Sequence, residues 1–404
     1  QGLFHTNLPV TLPESLVRRL FAPDGTLRGS VTKFEQYRSC PFAYFSRYGL
    51  GLEERPRYQF AAPDLGMLVH GALRIIGERL LREQKQWHDI PDADVPAICR
   101  QATDELAPQV QHDILMSNAY FAQIKERLIQ TLTRTVRRLS AFSAVSDFHM
   151  EGLEKSFGRP GSPWEALRFT LKNGLQVVVT GQIDRIDTLR QGDHKYVVII
   201  DYKSGRKQLD ISQIFTGLEL QLLTYMFVAL LNIGGDAIPA AVLYCYVRND
   251  KVSLEYRVSE EDKKKLYDAK GKLTGFYLDD GQVMQQLDTS MQGFSDFLNL
   301  RLKKDGTLSD SSHTLYNEAG WSHLLDWAAR QIRDIAGHIG DGDISIHPIL
   351  MGQQAPCSYC PYRPVCRFDV AVAGNTYDAA GREDTDEMIQ KMFDEGDDEH
   401  GLDE

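Results

Sequence analysis

Residues 196–203 have the sequence YVVIIDYK, an apolar run that ends in the charged residues Asp201 and Lys203. A short apolar run of this length predicts a central strand of a sheet. Asp201 and Lys203 are two residues apart, so on a strand their side chains leave the same face. The pair by itself fits a structural salt bridge at a strand end as well as it fits a chemical site.

A second predicted strand lies just upstream. Residues 168–179 read RFTLKNGLQVVV, and the Asn-Gly between two runs of period two predicts a hairpin. Its second arm continues into residues 181–187 (GQIDRID). A hairpin-like arrangement with the following strand would bring Asp184 close to Asp201, with Asp187 as a further carboxylate.

The remaining pattern predicts an α/β core at about residues 150–258, with helical segments before and after it. Asp64 can cap a helix over residues 65–86, on which His70 lies. The other predicted elements are helices within 92–147, a helix over roughly 211–232, strands at 240–247 and 252–257, and helix with polar loop over 260–345. No Gly-rich nucleotide-binding loop is present in the sequence.

Two carboxylates with a backbone carbonyl between them form a hard-oxygen site that suits Mg²⁺. Such a cation can lower the pKa of a bound water and stabilise charge on an attacked phosphorus, with Lys203 assisting. This chemistry is phosphodiester hydrolysis.

Gln221 and Tyr225 are four residues apart and share a helix face, a spacing equally typical of helix surface or core. Residues 204–207 (SGRK) fit a phosphate contact or a solvated basic turn.

Three of the six cysteines, Cys357, Cys360 and Cys366, fall within ten residues, a spacing that indicates a metal site rather than disulfides in a reducing cytoplasm. Tetrahedral zinc or an iron–sulfur cluster needs a fourth ligand. The candidates are His347 and Cys40, and the Cys-Pro-aromatic sequence shared by residues 40–42 and 360–362 favours Cys40. Cys99 and Cys245 lie outside this pattern and are expected to be buried.

Together these motifs resemble the RecB-like branch of the PD-(D/E)XK nuclease superfamily. The resemblance is carried by residues 68–71 (LVHG), 181–187 (GQIDRID), 201–205 (DYKSG) and 221–225 (QLLTY). It implies a mixed central sheet flanked by helices. It also implies that the metal ligands are His70, Asp184, Asp201 and the Tyr202 carbonyl, that Lys203 is catalytic, and that Gln221 and Tyr225 support the site or the DNA. No Pro precedes Asp184, a departure that this branch commonly tolerates.

The cysteine spacing resembles the [4Fe–4S] staple of AddB-type subunits of bacterial AddAB helicase–nucleases, which recurs in related CRISPR adaptation nucleases. That resemblance implies a structural cluster on Cys40, Cys357, Cys360 and Cys366, joining the two ends of the domain. It further implies an AddA-type partner and cleavage of the 5′-terminated single strand of unwound DNA during double-strand-break repair. AddB chains carry a helicase-like region ahead of this domain, and functions of that region are not carried over.

The chain has 404 residues and a net charge of −11, of which residues 378–404 carry −10, so the remainder is close to neutral. We expect a linker at 1–29, a stapled nuclease domain at 30–377 and an acidic disordered tail at 378–404. The sequence has no apolar run long enough to span a membrane and no leader at its start, and it reads as a piece of a longer chain. Two alternatives remain: a non-catalytic DNA-holding scaffold, and a free-standing RecB-like nuclease of a CRISPR or phage system.

Overall fold

The apolar run at residues 196–203 lies within strand β5 (His194–Lys203), in the middle of the central sheet. Residues 197–200 have no exposed surface, as their apolar side chains predict. On one side β5 pairs antiparallel with β4 (Gln176–Gln191), and on the other it pairs parallel with β6 (Ala237–Tyr246). The computed structural model describes residues 7–55, 60–110, 113–205, 209–247, 271–309, 313–381 and 383–397.

The central sheet is mixed, with the order β1-β4-β5-β6-β7-β8, and β2 and β3 pair with β4. Its other strands are β1 (Thr26–Ser30), β2 (His149–Phe157), β3 (Arg168–Thr170), β7 (Thr274–Leu278) and β8 (Leu315–Tyr316). Strand β4 has 16 residues, so its first half pairs with β1 and β3 while its second half pairs with β2 and β5. A separate parallel pair consists of β9 (Ile349–Met351) and β10 (Asp378–Ala380).

Helices pack around this sheet, as the expected fold class requires. They are α1 (Glu14–Phe21), α2 (Val31–Ser39), α3 (Pro41–Tyr44), α4 (Ala62–Arg82), α5 (Val95–Leu106), α6 (Ala119–Ala144), α7 (Ile211–Phe215), α8 (Gln221–Ile233), α9 (Gly281–Leu287), α10 (Glu318–Gly340), α11 (Arg363–Cys366) and α12 (Thr385–Asp397). Helix α4 lies against β2 and β5, and α8 lies against β5, β6 and α10. The two helices that carry candidate site residues therefore both contact the central strand.

Local differences from the sequence expectations have identifiable causes. The single helix expected over 211–232 is two helices, α7 and α8, because Gly217 adopts a left-handed backbone with φ of 78° between them. Asp64 is not the N-cap of α4; it lies inside the first turn and accepts a hydrogen bond from the Ala61 N–H at 2.8 Å. The strand expected at 252–257 falls outside the described residues.

The acidic C-terminal segment also differs from the expectation of disorder, since residues 385–397 form helix α12. Met388 and Met392 of this helix are almost completely buried. The Phe393 ring stacks on His323 of α10 with a centroid distance of 4.9 Å. Apolar residues spaced along one helix face give α12 a buried stripe, and burial of that stripe outweighs the repulsion between its acidic residues.

None of the helices in the described ranges combines the length and apolar character needed to cross a membrane.

Candidate functional site

Asp201 and Lys203 lie at the end of β5, where the apolar run gives way to charged residues. Their side chains form an ion pair with an Nζ to Oδ2 distance of 2.5 Å. Asp201 is almost fully buried, whereas 22% of the Lys203 side chain remains exposed. The alternation of β5 thus holds a buried carboxylate beside an ammonium group that solvent can reach.

Helix α8 supplies two further polar groups to this position. Lys203 Nζ donates a hydrogen bond to Gln221 Oε1 at 3.1 Å, and Gln221 Nε2 donates to the Tyr225 hydroxyl at 3.0 Å. The i, i+4 spacing of the pair therefore orients Gln221 toward the lysine. Gly181 of β4 makes room for this contact, because a Cβ there would lie 3.0 Å from Tyr225 and 2.4 Å from the Phe157 ring.

The neighbouring strand β4 contributes Asp184. Its Oδ2 accepts a hydrogen bond from the Tyr202 backbone N–H at 2.9 Å and lies 3.2 Å from His70 Nδ1 on α4. The structure thus brings together Asp184, Tyr202 and His70, as the sequence analysis expected. Asp187 does not join them, because it lies three positions after Asp184 on β4, an odd spacing that turns its side chain to the other face of the sheet. There it forms a buried, two-bond ion pair with Arg185, both at 2.7 Å.

Glu154 of β2 is a member of this group that the sequence analysis missed. Its carboxylate lies with the ligand atoms of His70 and Asp184, all within 4.8 Å of one another, as a metal site requires. Glu154 also accepts a hydrogen bond from Gln182. Its backbone is left-handed, with φ of 48°, and the pairs Leu153–Arg185 and Lys155–Ile183 on either side place it opposite Asp184 of β4. We call these residues the acidic site: His70, Glu154, Asp184, Asp201 and Lys203.

The carboxylates of the acidic site carry more negative charge than a buried position favours. Burial raises the pKa of Glu154 to about 7, and the charge of Asp184 adds to this effect. Burial and Asp184 likewise raise the pKa of Asp201, against the opposing effect of Lys203. For His70, burial favours the neutral ring, but the hydrogen bond to Asp184 and the nearby carboxylates outweigh it and raise its pKa. A bound cation would relieve this concentration of charge.

A second cluster lies elsewhere on the surface and consists of four cysteines. Cys40, Cys357, Cys360 and Cys366 line one cavity, although more than three hundred residues separate the first from the rest. None of these four cysteines is in a disulfide, and all four are partly buried. Burial raises the pKa of Cys40 to about 11, and the nearby Cys357 and Cys360 add to this. Four convergent thiols fit a soft metal or an iron–sulfur cluster, and we call this feature the cysteine cavity.

Of the SGRK turn after β5, Arg206 and Lys207 fall outside the described residues. Ser204 Oγ lies 3.8 Å from the position that a Cβ on Gly66 would take. The beginning of α4 therefore approaches the end of β5 closely, next to the acidic site.

Residues 28–367 match the sequence family described as the PD-(D/E)XK nuclease superfamily. This chain belongs to that superfamily. A PD-(D/E)XK nuclease implies a divalent metal, and His70, Glu154 and Asp184 are a group that could hold one.

The chain is also similar to proteins whose names describe the B subunit of an ATP-dependent helicase/deoxyribonuclease. The identity is 32% over 402 residues with the Bacillus pumilus (strain SAFR-032) protein, covering 98% of this chain and 34% of the relative. It is 34% over 381 residues with the Bacillus subtilis (strain 168) protein, covering 93% and 32%. It is 36% over 359 residues with the Moorella thermoacetica protein, covering 88% and 31%. The chain thus spans about a third of the length of these curated relatives.

Proposed function

We propose that this chain is the nuclease domain of an AddB-type subunit, acting on DNA as a Mg²⁺-dependent deoxyribonuclease. Its substrate would be the 5′-terminated single strand produced by unwinding, cut during double-strand-break repair and recombination. The domain would extend beyond the expected residues 30–377, because β1 pairs within the central sheet and α12 packs on α10. It would work in the cytoplasm with an AddA-type helicase–nuclease subunit. The relatives named as helicase/deoxyribonuclease B subunits support this assignment of substrate and partner.

The observation that carries the proposal is the ion pair of Lys203 with Asp201, held beside Asp184 on the adjacent strand. His70, Glu154, Asp184, Asp201 and the Tyr202 carbonyl would hold the divalent cation. When bound, that cation would lower the pKa of a water and neutralise charge on the phosphate.

The remaining work falls to side chains of this chain. The Lys203 side chain is partly exposed and its Nζ donates to Gln221, so the ammonium group can also donate to a phosphate oxygen as negative charge develops there. Gln221, held by Tyr225, restricts the directions in which the ammonium can point. Asp201 is almost fully buried, so its carboxylate is kept out of bulk water, and this strengthens its ion pair with Lys203.

The cysteine cavity would hold a [4Fe–4S] cluster through Cys40, Cys357, Cys360 and Cys366. We assign the cluster a structural role, in which it ties the segment after α2 to the segment after β9. Iron and acid-labile sulfide analysis of anaerobically purified protein checks this, with about four irons per chain expected. Stoichiometric zinc without sulfide would contradict it.

The deciding experiment compares this chain with its Lys203→Ala variant in Mg²⁺-dependent degradation of end-labelled single-stranded DNA. We expect cleavage by the original chain and a loss of at least about 10²-fold in the variant, since a transition-state donor is removed. Equal cleavage by the original chain and the variant would contradict the assignment of Lys203 to the catalytic site. If neither cleaves, the same pair is compared within the helicase–nuclease complex, and DNA binding without turnover there would favour a scaffold.

A further inference from the structure

Helix α8 begins without a capping side chain of its own. Its N-cap residue is Leu220, which offers no acceptor to the first turn. The acceptor comes instead from Glu35 on α2, 185 residues earlier in the chain. Glu35 Oε1 accepts hydrogen bonds from the backbone N–H of Leu220 at 2.8 Å and of Gln221 at 3.2 Å. A carboxylate at this position also interacts favourably with the positive end of the helix.

Gln221 connects Glu35 to Lys203: Glu35 holds its backbone N–H, and its side chain contacts the lysine. Gln221 accepts from Lys203 Nζ at 3.1 Å and donates to Tyr225. Movement of the α8 N-terminus would therefore move the Gln221 amide away from Lys203. The segment before α8 does not continue α7 as one helix, because Gly217 ends α7 with a left-handed turn.

Helix α2 is itself fixed at several points. It follows directly after β1, which pairs with β4, and Ser30 caps its first turn by accepting from Lys33 N. Further along, Arg38 donates to the Thr216 carbonyl at 2.8 Å and pairs with Asp378 at 2.5 Å. The helix can thus serve as a rigid support for the start of α8.

We propose that Glu35 is a positioning residue for Lys203, acting through the first turn of α8 and Gln221. The proposal rests on the nuclease function proposed above. Glu35 does not contact the acidic site. It fixes the backbone position of Gln221, whose side chain holds Lys203. Small displacements of this kind have large effects on rate, about 10²-fold for 1 Å in favourable cases.

The test uses Glu35→Ala, Glu35→Gln and a matched control, Asp280→Ala, in the full-length protein. Asp280 is a suitable control because its Oδ1 likewise accepts two backbone N–H bonds, at 2.8 and 3.1 Å, in the first turn of α9. We expect Glu35→Ala to lower kcat for single-stranded DNA about 10- to 100-fold with little change in KM. Glu35→Gln keeps an oxygen acceptor and should stay within about threefold of the original kcat, as should Asp280→Ala.

A second measurement follows Lys203 directly and does not depend on cleavage. The rate at which an acetylating ester modifies Lys203, read by peptide mass spectrometry, should rise severalfold in Glu35→Ala and stay unchanged in the other two variants. If the original protein does not cleave DNA, the nuclease function fails while the acetylation rates still decide the role of Glu35. Equal acetylation rates in all three variants, or a kcat loss in Asp280→Ala as large as in Glu35→Ala, would overturn the proposal.

Discussion

The acidic site and the cysteine cavity are built in opposite ways. The side chains of the acidic site lie on long elements (α4, β2, β4 and β5), and they already pair with one another through Lys203 with Asp201 and His70 with Asp184. Two of the four thiols of the cysteine cavity, Cys357 and Cys366, come from the short helical turns at Pro356–Ser358 and Arg363–Cys366, in which no residue is buried, and Cys360 lies between these turns.

This difference indicates what each site needs in order to persist. A site on buried strands is held by the core and keeps its geometry when its ligand leaves. Short exposed turns bury little apolar surface, so they depend on their ligand for stability. We therefore expect the metal of the acidic site to matter for chemistry and the occupant of the cysteine cavity to matter for folding.

The largest predicted effect is on stability and tests the cysteine cavity. Cys360→Ser would remove one ligand of the proposed [4Fe–4S] cluster, which would close a loop of more than three hundred residues and contribute about 5 kcal/mol through loop-closure entropy. We expect a thermal midpoint lower by about 10 °C and rapid proteolysis within residues 349–381. Cys99→Ala, which alters a buried cysteine outside the cavity, should cost only about 1 kcal/mol. Equal thermal midpoints for Cys360→Ser and Cys99→Ala would show that the cysteine cavity does not depend on its ligand for stability.

An intermediate effect is expected for Glu154→Gln, which tests whether this carboxylate of the acidic site is a metal ligand. The substitution keeps the shape but removes a negative charge beside His70 and Asp184. The Mg²⁺ concentration for half-maximal cleavage should rise about 10- to 100-fold. Glu151→Gln on the same strand is the control, because Glu151 pairs with Lys195 at the surface and should leave the metal requirement unchanged. An unchanged requirement in Glu154→Gln would exclude this carboxylate as a ligand.

The smallest effect on stability is predicted for removal of the divalent metal from the acidic site. Chelation should abolish cleavage, and added Mg²⁺ should restore it in full. The free energy of unfolding should change by less than about 1 kcal/mol, because the side chains that would hold the ion already pair with one another within the fold. Thermal unfolding with and without chelator measures this change. A fall as large as that of Cys360→Ser would show that both sites depend on their ligands in the same way.

The sequence predicted the parts of the site that rest on local pattern. The strands carrying Asp184, Asp201 and Lys203 follow from period-two alternation and a buried apolar run, and the structure has them where expected. The motif resemblance also picked out His70 and Gln221, which lie at the site although the elements that carry them are far apart in sequence.

The residues that the sequence did not predict depend on tertiary pairing or on local irregularity. Glu154 reaches the site through the pairing of β2 with β4, which places it opposite Asp184, a contact about 30 positions away that no local window contains. Glu35 caps a helix 185 residues away, a contact that no local window contains. The high negative charge of the segment that forms helix α12 predicts disorder. The spacing of Met388 and Met392, four residues apart and both buried, indicates the helix instead.

The position of Cys40 has a consequence for the timing of synthesis. Cys40 leaves the ribosome before the other three cysteines of the cavity, since residues 357–366 follow more than three hundred residues later, roughly 15 to 65 s at ordinary translation speeds. All the residues of the acidic site, from His70 to Lys203, are translated within that interval. We infer that the nuclease core can assemble on the nascent chain, whereas closure of the cysteine cavity must wait until translation of this region is complete.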